Sequence, residues 1–151
     1  MRRPVLFTEE GENRCFGCGP ANPVGLKLSF FETAEGVEAE YVAPPELEGA
    51  PGVVHGGIQA TLLDEVLCMT AYAKLGKPVL TGELTIRYLV PTPSGTRLRI
   101  RGRVAEVRGR SALLEGWIET AADGVERTRA RGRFFAQEGT FSPEASTARQ
   151  D

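Results

Sequence analysis

The sequence has 151 residues, 41% of them hydrophobic and 25% charged, and its formal net charge at pH 7 is −2. This length predicts one domain with a sizeable core. The slightly negative net charge argues against a nucleic-acid-binding protein, which would usually show a basic excess on one surface. No apolar run approaches the roughly 18 residues of a membrane span, and no apolar stretch of a secretory signal follows the first arginines. Three cysteines are an odd count, unlike a secreted disulfide framework. We therefore expect a reduced, cytoplasmic protein that binds neither nucleic acid nor a membrane.

The first half of the chain predicts two strands, a loop and one long helix. Residues 26–31 and 37–42 have strand patterns on either side of the turn sequence TAEG, and the loop that follows holds three prolines and two glycines. Residues 56–75 contain no proline and no glycine after Gly57, and the Lys-Leu-Gly at their end is typical of a helix stop. Because apolar residues cover most of its circumference, this helix is predicted to be buried.

Four strands are predicted in the second half, over residues 79–90, 96–107, 111–120 and 125–136. The second of them alternates four arginines with apolar residues. That pattern fits a phosphate or nucleic-acid surface, but it fits better the solvated face of a one-sided antiparallel sheet. On such a face Glu115 and Glu119 would pair with arginines across strands.

These elements predict an α+β domain in which an antiparallel sheet of five to six strands wraps around one long central helix. Such a sheet buries the helix and hides its own inner face at the same time. The domain spans residues 26–136, between an N-terminal segment (residues 1–25) and a polar tail (residues 137–151) that is predicted to be disordered.

The stretch GVVHGGIQATLLDE concentrates the residues with chemical potential. His55, the only histidine, precedes Gly56 and Gly57 at the start of the helix, and Asp64 follows nine residues after it. A helix N-terminus offers unpaired N–H groups and a partial positive charge, and glycine lets a ligand oxygen approach closely. A carboxylate on a buried helix is costly unless it is paired or reactive. Two plain alternatives stay open, namely His55 as a helix cap and Asp64 with Glu65 as the point where the helix meets solvent.

The stretches PGVVHGGIQATLLDE, TGELTIRYLVPTPSG and LRIRGRVAEVRGRSALLEGWI resemble the hotdog-fold acyl-CoA thioesterases of the phenylacetic-acid-degradation (PaaI-type) group. The resemblance covers about residues 14–136, and CFGCGPANPVGLKL resembles the opening of one branch of that group. It implies the hotdog fold, a homodimer or dimer of dimers joined sheet edge to sheet edge, and active sites at the dimer interface. It also implies an acyl-CoA substrate, with no cofactor and no metal.

The resemblance further implies catalytic roles. The backbone N–H of Gly56, with Gly57 beside it, would hold the oxyanion, and His55 would orient the thioester carbonyl. Asp64 of the other subunit would act as general base on water or as nucleophile through an anhydride. Thr81 matches a position where the group often has Ser or Thr to hold the water or the Asp. Regular alternation puts Thr81 on the outward face of its strand, so this role requires a strand end or a bulge.

Substrate binding is also predicted by the resemblance. Residues of the helix would line part of the acyl pocket, and the basic turn VRGRS would hold the phosphates of CoA, although exposed arginines on a turn also fit plain solvated charges. The residues predicted to bind substrate are Leu62, Val66, Met69, Arg108, Arg110 and Ser111.

The candidate catalytic groups are few, and thioester hydrolysis requires few. Because a thioester is already activated, a carboxylate and an oxyanion site suffice. A non-catalytic acyl-CoA-binding or regulatory module on the same fold is the first alternative, since it could keep both His55 and Asp64. A hotdog hydratase or dehydratase is the second. Its histidine would stand ahead of a Pro-Gly, whereas here the Pro-Gly precedes His55.

Cys15 and Cys18 have the spacing of a metal clip or a redox pair. Zinc takes about four ligands, and the remaining candidates are Cys68, inside the helix, and His55, which has a better assignment. A redox pair would be expected to open a helix, whereas turn sequences follow here. We therefore predict that the pair anchors the N-terminal segment on the domain, without a metal.

Overall fold

A computed structural model describes residues 3–5 and 12–137 of the chain. Its elements are β1 (Pro4–Val5), β2 (Phe30–Glu32), β3 (Gly36–Val42), a 3-10 turn (Pro45–Leu47), α1 (Gly56–Leu75), β4 (Val79–Tyr88), β5 (Arg97–Arg108), β6 (Ser111–Thr120) and β7 (Glu126–Ala136). The strands form one antiparallel sheet in the order β1-β2-β3-β5-β6-β7-β4. No helix in these ranges is long and apolar enough to cross a membrane.

The helix α1 has the bounds that the sequence predicts. It ends at Gly76, whose φ of 73° lies in the left-handed region and whose amide donates to the Tyr72 carbonyl at 3.1 Å. The helix crosses the inner face of the sheet, and the prediction that it is buried is confirmed. Its fully buried side chains include Leu62, Leu63, Val66 and Leu67.

Two glycines let the helix pack directly on the sheet backbone. Gly102 of β5 and Gly116 of β6 are paired in register beneath the helix. A Cβ at Gly102 would lie 2.5 Å from Thr70 Oγ1, and one at Gly116 would lie 3.0 Å from Leu67 Cδ2. A side chain at Gly102 would displace Thr70 and one at Gly116 would press on Leu67, so the two glycines let α1 lie close to the sheet.

The outer face of the sheet carries the predicted ladder of charges. Arg99 pairs with Glu119 at 3.3 Å and Arg103 with Glu115 at 2.7 Å, while Arg103 also lies over the Trp117 ring at 5.8 Å. Each such partly exposed pair contributes at most about 1 kcal/mol. The pairing of Glu115 and Glu119 with arginines is confirmed, and the arginines of this face form ion pairs with the protein's own carboxylates.

The strand predicted over residues 26–31 is wrong in its first four residues. The amides of Leu26 and Leu28 donate to backbone carbonyls of the N-terminal segment, at 2.8 and 3.0 Å. Lys27 between them has a φ of 53°, a left-handed conformation that interrupts a strand. The apolar alternation is therefore real, but the backbone hydrogen bonds go to the N-terminal segment instead of a neighbouring strand.

Within the described residues the sheet has seven strands, one or two more than the five to six predicted. The strand that the sequence pattern missed is β1, whose two residues pair with β2 and are too few to show a period. The α+β class is confirmed. The prediction of a disordered tail falls on residues 138–151, which lie outside the described residues, as do residues 1–2 and 6–11 of the N-terminal segment.

Candidate active site

His55 caps the helix and thereby fixes its own tautomer. Its Nδ1 accepts a hydrogen bond from the backbone N–H of Gly57 at 2.9 Å. A ring nitrogen that accepts carries no proton, so the ring proton is assigned to Nε2. Since the ring is exposed, Nε2–H is available to a ligand oxygen. The cap and the predicted orienting role of His55 therefore use different atoms of the ring.

The two glycines after His55 are not equivalent. The Gly57 amide is taken by His55, whereas no described residue accepts a hydrogen bond from the Gly56 amide. Gly56 is also the first helical residue, where the helix dipole is positive. A carbonyl oxygen that reached this amide would be polarised. Of the two predicted oxyanion donors, the geometry leaves Gly56 available.

A buried glutamine network holds the loop in front of the helix. Gln59 donates from Nε2 to the Val54 carbonyl at 2.9 Å. Its Oε1 accepts hydrogen bonds from the hydroxyls of Thr92, at 2.9 Å, and Thr128. All polar atoms of the Gln59 side chain are thus bonded inside the core, which fixes the position of the residue before His55. This role was not predicted from the sequence, although a glutamine on a helix that is apolar over most of its circumference was a signal for it.

Tyr88, the last residue of β4, also contacts the start of the helix. Its hydroxyl donates to the Gly56 carbonyl at 2.8 Å, while 53% of the residue stays exposed. No sequence pattern indicates this contact, because the partner is a backbone atom 32 positions earlier. The end of β4 is thereby tied to the carbonyl of the residue whose amide is available.

Asp64 and Thr81 come together at the other end of β4. Thr81 Oγ1 donates to Asp64 Oδ1 at 2.6 Å. The register of β4 against β7 shifts between Thr81 and Glu83, which leaves Gly82 as the extra residue of a bulge. Thr81 therefore pairs with the buried Phe134 and faces the helix. The bulge that the predicted role of Thr81 requires is present.

The surroundings of Asp64 favour a basic carboxylate. Burial raises the pKa of Asp64 above its ordinary range, and the hydrogen bond from Thr81 lowers it in part. Cys68, one turn further along the helix, lies with its Sγ 3.6 Å from Thr81 Oγ1. Burial raises the pKa of that thiol to about 12, so it is protonated near neutral pH and is a poor nucleophile.

Asp64 and the Gly56 amide lie far apart within one chain. They are separated by eight residues of a continuous helix, which corresponds to about 12 Å along its axis. A base and an oxyanion donor that act on the same carbonyl must each lie within hydrogen-bonding reach of the reacting atoms, at about 2.6–3.2 Å. One chain therefore cannot supply both groups to one carbonyl.

The predicted acyl-pocket residues separate into two groups. Met69 lines a cavity of about 700 Å³, together with Cys18, Leu28, Phe30 and Phe31. Leu62 and Val66, by contrast, are fully buried in the core and do not line this cavity. The cavity lies between the helix and the N-terminal segment.

The predicted CoA-binding turn is partly engaged in local contacts. Arg108 pairs with Glu106 at 2.5 Å. Ser111 donates to the Arg108 carbonyl and accepts from Arg133, both at 3.2 Å. Arg110 is exposed, and its guanidinium has no partner within the described ranges. Of the three predicted residues, Arg110 is the one whose charge is open to a ligand.

A second cluster of ionisable groups lies next to Asp64. Cys15 Sγ donates to Glu65 Oε1 at 3.2 Å, and the ligand-type atoms of Cys15, Cys18 and Glu65 all lie within 4.8 Å of one another. Burial raises the pKa of Glu65 and of Cys18 above their ordinary values. From the sequence, Glu65 was expected only as a solvent-facing neighbour of Asp64, and its contact with the cysteine segment was not predicted.

A family model of the thioesterase superfamily matches residues 51–126, half of the chain and the part that holds His55, Gly56, Asp64 and Thr81. The chain belongs to the thioesterase superfamily. The acyl-coenzyme A thioesterase THEM4 of Xenopus laevis is 34% identical over 91 residues, which cover 60% of this chain and 40% of that protein. The chain thus spans less than half the length of this curated relative.

Solved structures of superfamily members share the fold. The crystal structure of one thioesterase superfamily protein has a TM-score of 0.74 at 31% identity, and covers 88% of this chain and 69% of that one. The BH2602 protein of Bacillus halodurans, solved with CoA, has a TM-score of 0.62 at 29% identity, over 69% of each chain. The hotdog fold and the family that the resemblance implies are confirmed.

Proposed function

We propose that this protein is an acyl-CoA thioesterase that hydrolyses a thioester to a free acid and CoA. Membership of the thioesterase superfamily supports thioester hydrolysis as the reaction. The CoA in the solved relative from Bacillus halodurans supports CoA as the group that carries the acyl chain. The observation that carries the proposal is the pairing of Asp64 with Thr81 on a helix whose first amide, at Gly56, is available to a ligand.

In this proposal the thioester carbonyl binds at the helix N-terminus. The Gly56 amide and His55 Nε2–H donate to the carbonyl oxygen, which becomes the oxyanion as the thioester is attacked. Preorganised donors of this kind contribute about 10²–10³-fold each. The Tyr88 and Gln59 contacts keep the backbone of this turn in place, so the donors need no reorganisation during the reaction.

Asp64 supplies the attack, either by taking a proton from water or by adding to the carbonyl itself. A pKa raised by burial makes the carboxylate a better base, provided that it stays ionised. The Thr81 hydroxyl serves that requirement, because its hydrogen bond stabilises the ionised form. The thiolate of CoA leaves readily, so no metal and no cofactor are needed for this route.

The active form in this proposal is a homodimer, because one chain cannot bring Asp64 and Gly56 to the same carbonyl. Among the described strands, β4 lies at the edge of the sheet and is bonded on one side only, to β7. If it pairs antiparallel with β4 of a second copy, its Thr81 end lies beside the partner's Tyr88 end. Asp64 of one subunit then approaches Gly56 of the other. The exposed Leu80 and Val90 support this interface, and a dimer of dimers is a further step of the same proposal.

The proposal extends to the class of acyl group and to the cellular compartment. The cavity beside Met69 supports an apolar acyl chain or ring, and Arg110 supports contact with the phosphates of CoA. The cytoplasmic location stays a prediction from the cysteine count.

The test of the oxyanion site is a pair of substitutions at one position. Gly56→Pro removes the amide N–H, and proline is tolerated at the first helical position. The residue before it, His55, already has a ψ of 136°, which lies in the extended range that a following proline favours. Gly56→Ala adds a Cβ but keeps the N–H, and is the matched control. Thiol release from a panel of acyl-CoAs should fall about 10²-fold or more in Gly56→Pro and much less in Gly56→Ala.

Mixed dimers test whether the site is shared. Gly56→Pro and Asp64→Asn subunits, each nearly inactive alone, should regain about a quarter of the wild-type activity when they exchange, since random mixing leaves one intact site in half of the dimers. No regain despite mixed dimers would refute the shared site. No thiol release by the wild type from any acyl-CoA, together with measurable CoA binding, would favour the non-catalytic module.

A further inference from the structure

We propose that Cys15, Cys18 and Glu65 form a binding site for a thiophilic divalent cation, of which zinc is the representative, and that this ion fastens the N-terminal segment to the helix α1. The inference is independent of the proposed thioesterase activity, since none of the three residues takes part in that mechanism. It departs from the sequence-based expectation of no metal because the sequence did not show which helical residue meets the two cysteines.

The geometry of the three ligand-type atoms supports a metal site. They lie within 4.8 Å of one another, and zinc–sulfur and zinc–oxygen bonds of about 2.3 and 2.0–2.2 Å place ligand atoms at such mutual distances. Cys15 Sγ already lies 3.2 Å from Glu65 Oε1. Small side-chain rotations therefore suffice to turn the three atoms toward one ion.

Two glycines around the cysteines are needed for this close approach. A Cβ at Gly17 would lie 2.0 Å from Glu65 Cγ, so any side chain there would expel Glu65 from the turn. A Cβ at Gly19 would lie 2.3 Å from the backbone nitrogen of Cys15, where the Gly19 amide donates to the Cys15 carbonyl at 2.8 Å. The sequence CFGCG thus folds as a tight turn that presents both thiols to one carboxylate.

The charge balance of the cluster also points to a cation. Glu65 is half-buried, and none of the described Lys, Arg or His side chains forms an ion pair with it, while Asp64 next to it is a further acid. Buried acidic groups without a basic partner either keep protons or coordinate a metal. Here the Cys15 thiol donates a hydrogen bond to the carboxylate at 3.2 Å, and Cys18 Sγ lies beside both groups.

A metal ion would bind this cluster by replacing the protons of its thiols. A divalent ion would displace the thiol protons of Cys15 and Cys18 to solvent, and the two thiolates and the Glu65 carboxylate would become its ligands. Thiolates favour zinc over magnesium or calcium, which prefer oxygen ligands. Three protein ligands leave the fourth position of a tetrahedral site to water. Because the ligands must lose protons, the affinity for the metal rises with pH.

The experiment measures bound metal in the full-length protein. Wild-type protein produced with added zinc should retain about one zinc per chain after gel filtration, and a Co²⁺ titration should give a sulfur-to-cobalt charge-transfer band that saturates at one equivalent. Cys15→Ser, Cys18→Ser and Glu65→Gln should each weaken binding by more than the roughly 10–100-fold that follows loss of an outer-shell partner. The matched control is Cys68→Ser, a thiol one turn from Glu65 but outside the cluster, which should keep the metal.

Circular dichroism of each variant controls for folding, and X-ray absorption of the zinc-loaded wild type gives a readout that needs no variant. About two sulfurs at roughly 2.3 Å and one or two oxygens or nitrogens per zinc are expected. Less than a tenth of an equivalent of metal in the zinc-supplied wild type would overturn the proposal. So would retention of zinc in the Cys15→Ser, Cys18→Ser double variant, or a zinc environment without sulfur.

Discussion

Asp64 and Glu65 are neighbouring carboxylates on one helix, and burial raises the pKa of both. Their partners differ. Asp64 accepts a hydrogen bond from a hydroxyl on a strand at the edge of the sheet, whereas Glu65 accepts one from a thiol of the N-terminal segment. A hydroxyl keeps its proton and leaves the carboxylate as the reactive group. In the two proposals a divalent ion replaces the protons of the two thiols beside Glu65, whereas Asp64 acts on the thioester with its hydroxyl partner intact.

The largest expected difference between the two acids is in turnover. Asp64→Asn keeps the size of the side chain but removes its basicity, so thiol release from the best acyl-CoA should fall at least about 100-fold. Glu65→Gln should reduce it by less than about tenfold, because Glu65 does not reach the carbonyl. Circular dichroism and sedimentation would check that both variants fold and dimerise. Equal losses of turnover in the two variants would show that Asp64 and Glu65 do not differ in their role in the reaction.

The next largest effect concerns the turn that holds Glu65. Gly17→Ala places a Cβ 2.0 Å from Glu65 Cγ, and overpacking of this kind typically costs about 1–3 kcal/mol. The free energy of unfolding should fall by that amount in a urea titration at equal zinc content, whereas Ala21→Gly, in the same segment, should change it less. An unaltered midpoint for Gly17→Ala would show that the turn does not press on Glu65.

A smaller effect is expected at Thr81. Thr81→Val removes the hydrogen bond that lowers the pKa of Asp64, so the acid limb of the pH–rate profile should move to higher pH. The rate at neutral pH should drop about tenfold, while Thr81→Ser should restore both the rate and the profile. A drop in rate without movement of the acid limb would mean that Thr81 acts on something other than Asp64.

The smallest expected effect is on stability as a function of pH. An acid whose pKa is raised in the folded state binds more protons folded than unfolded, so its contribution is present at low pH and is lost as the pH rises from the ordinary value of 3.8 through the raised one. Asp64→Asn lacks this loss. The variant should therefore unfold at a higher urea concentration than the wild type at pH 7, and the two curves should converge near pH 3. Divergence at low pH instead would reverse the assignment.

The sequence predicted the helix and the strands of the second half well, because their periodicity is long and regular. Residues 56–75 and 111–120 are predicted with the observed bounds. The errors lie where backbone bonds go to an unexpected partner, as at Leu26 and Leu28, or where an element has two residues, as in β1. The local sequence pattern predicts neither the partner of a backbone hydrogen bond nor a strand of two residues.

The candidate site was predictable in part for the same reason. His55, Gly56 and Asp64 lie within ten residues at one helix, and the strand phase of Thr81 showed that its role required a strand end or a bulge. Tyr88 and Glu65 were not predictable, since one meets a backbone carbonyl and the other meets two cysteines about 50 residues earlier. Contacts over such separations depend on how the chain closes in space.

The pairing of β4 with β7 alone among the described strands has a consequence for how the proposed enzyme would behave on dilution. If each catalytic centre needs groups from two chains, the activity per chain is a measure of association. Below the dissociation constant of the dimer, the rate would fall with the square of the total protein concentration, whereas a self-sufficient chain would show a linear decline. The amount of protein present would then act on the reaction as a second variable beside the substrate.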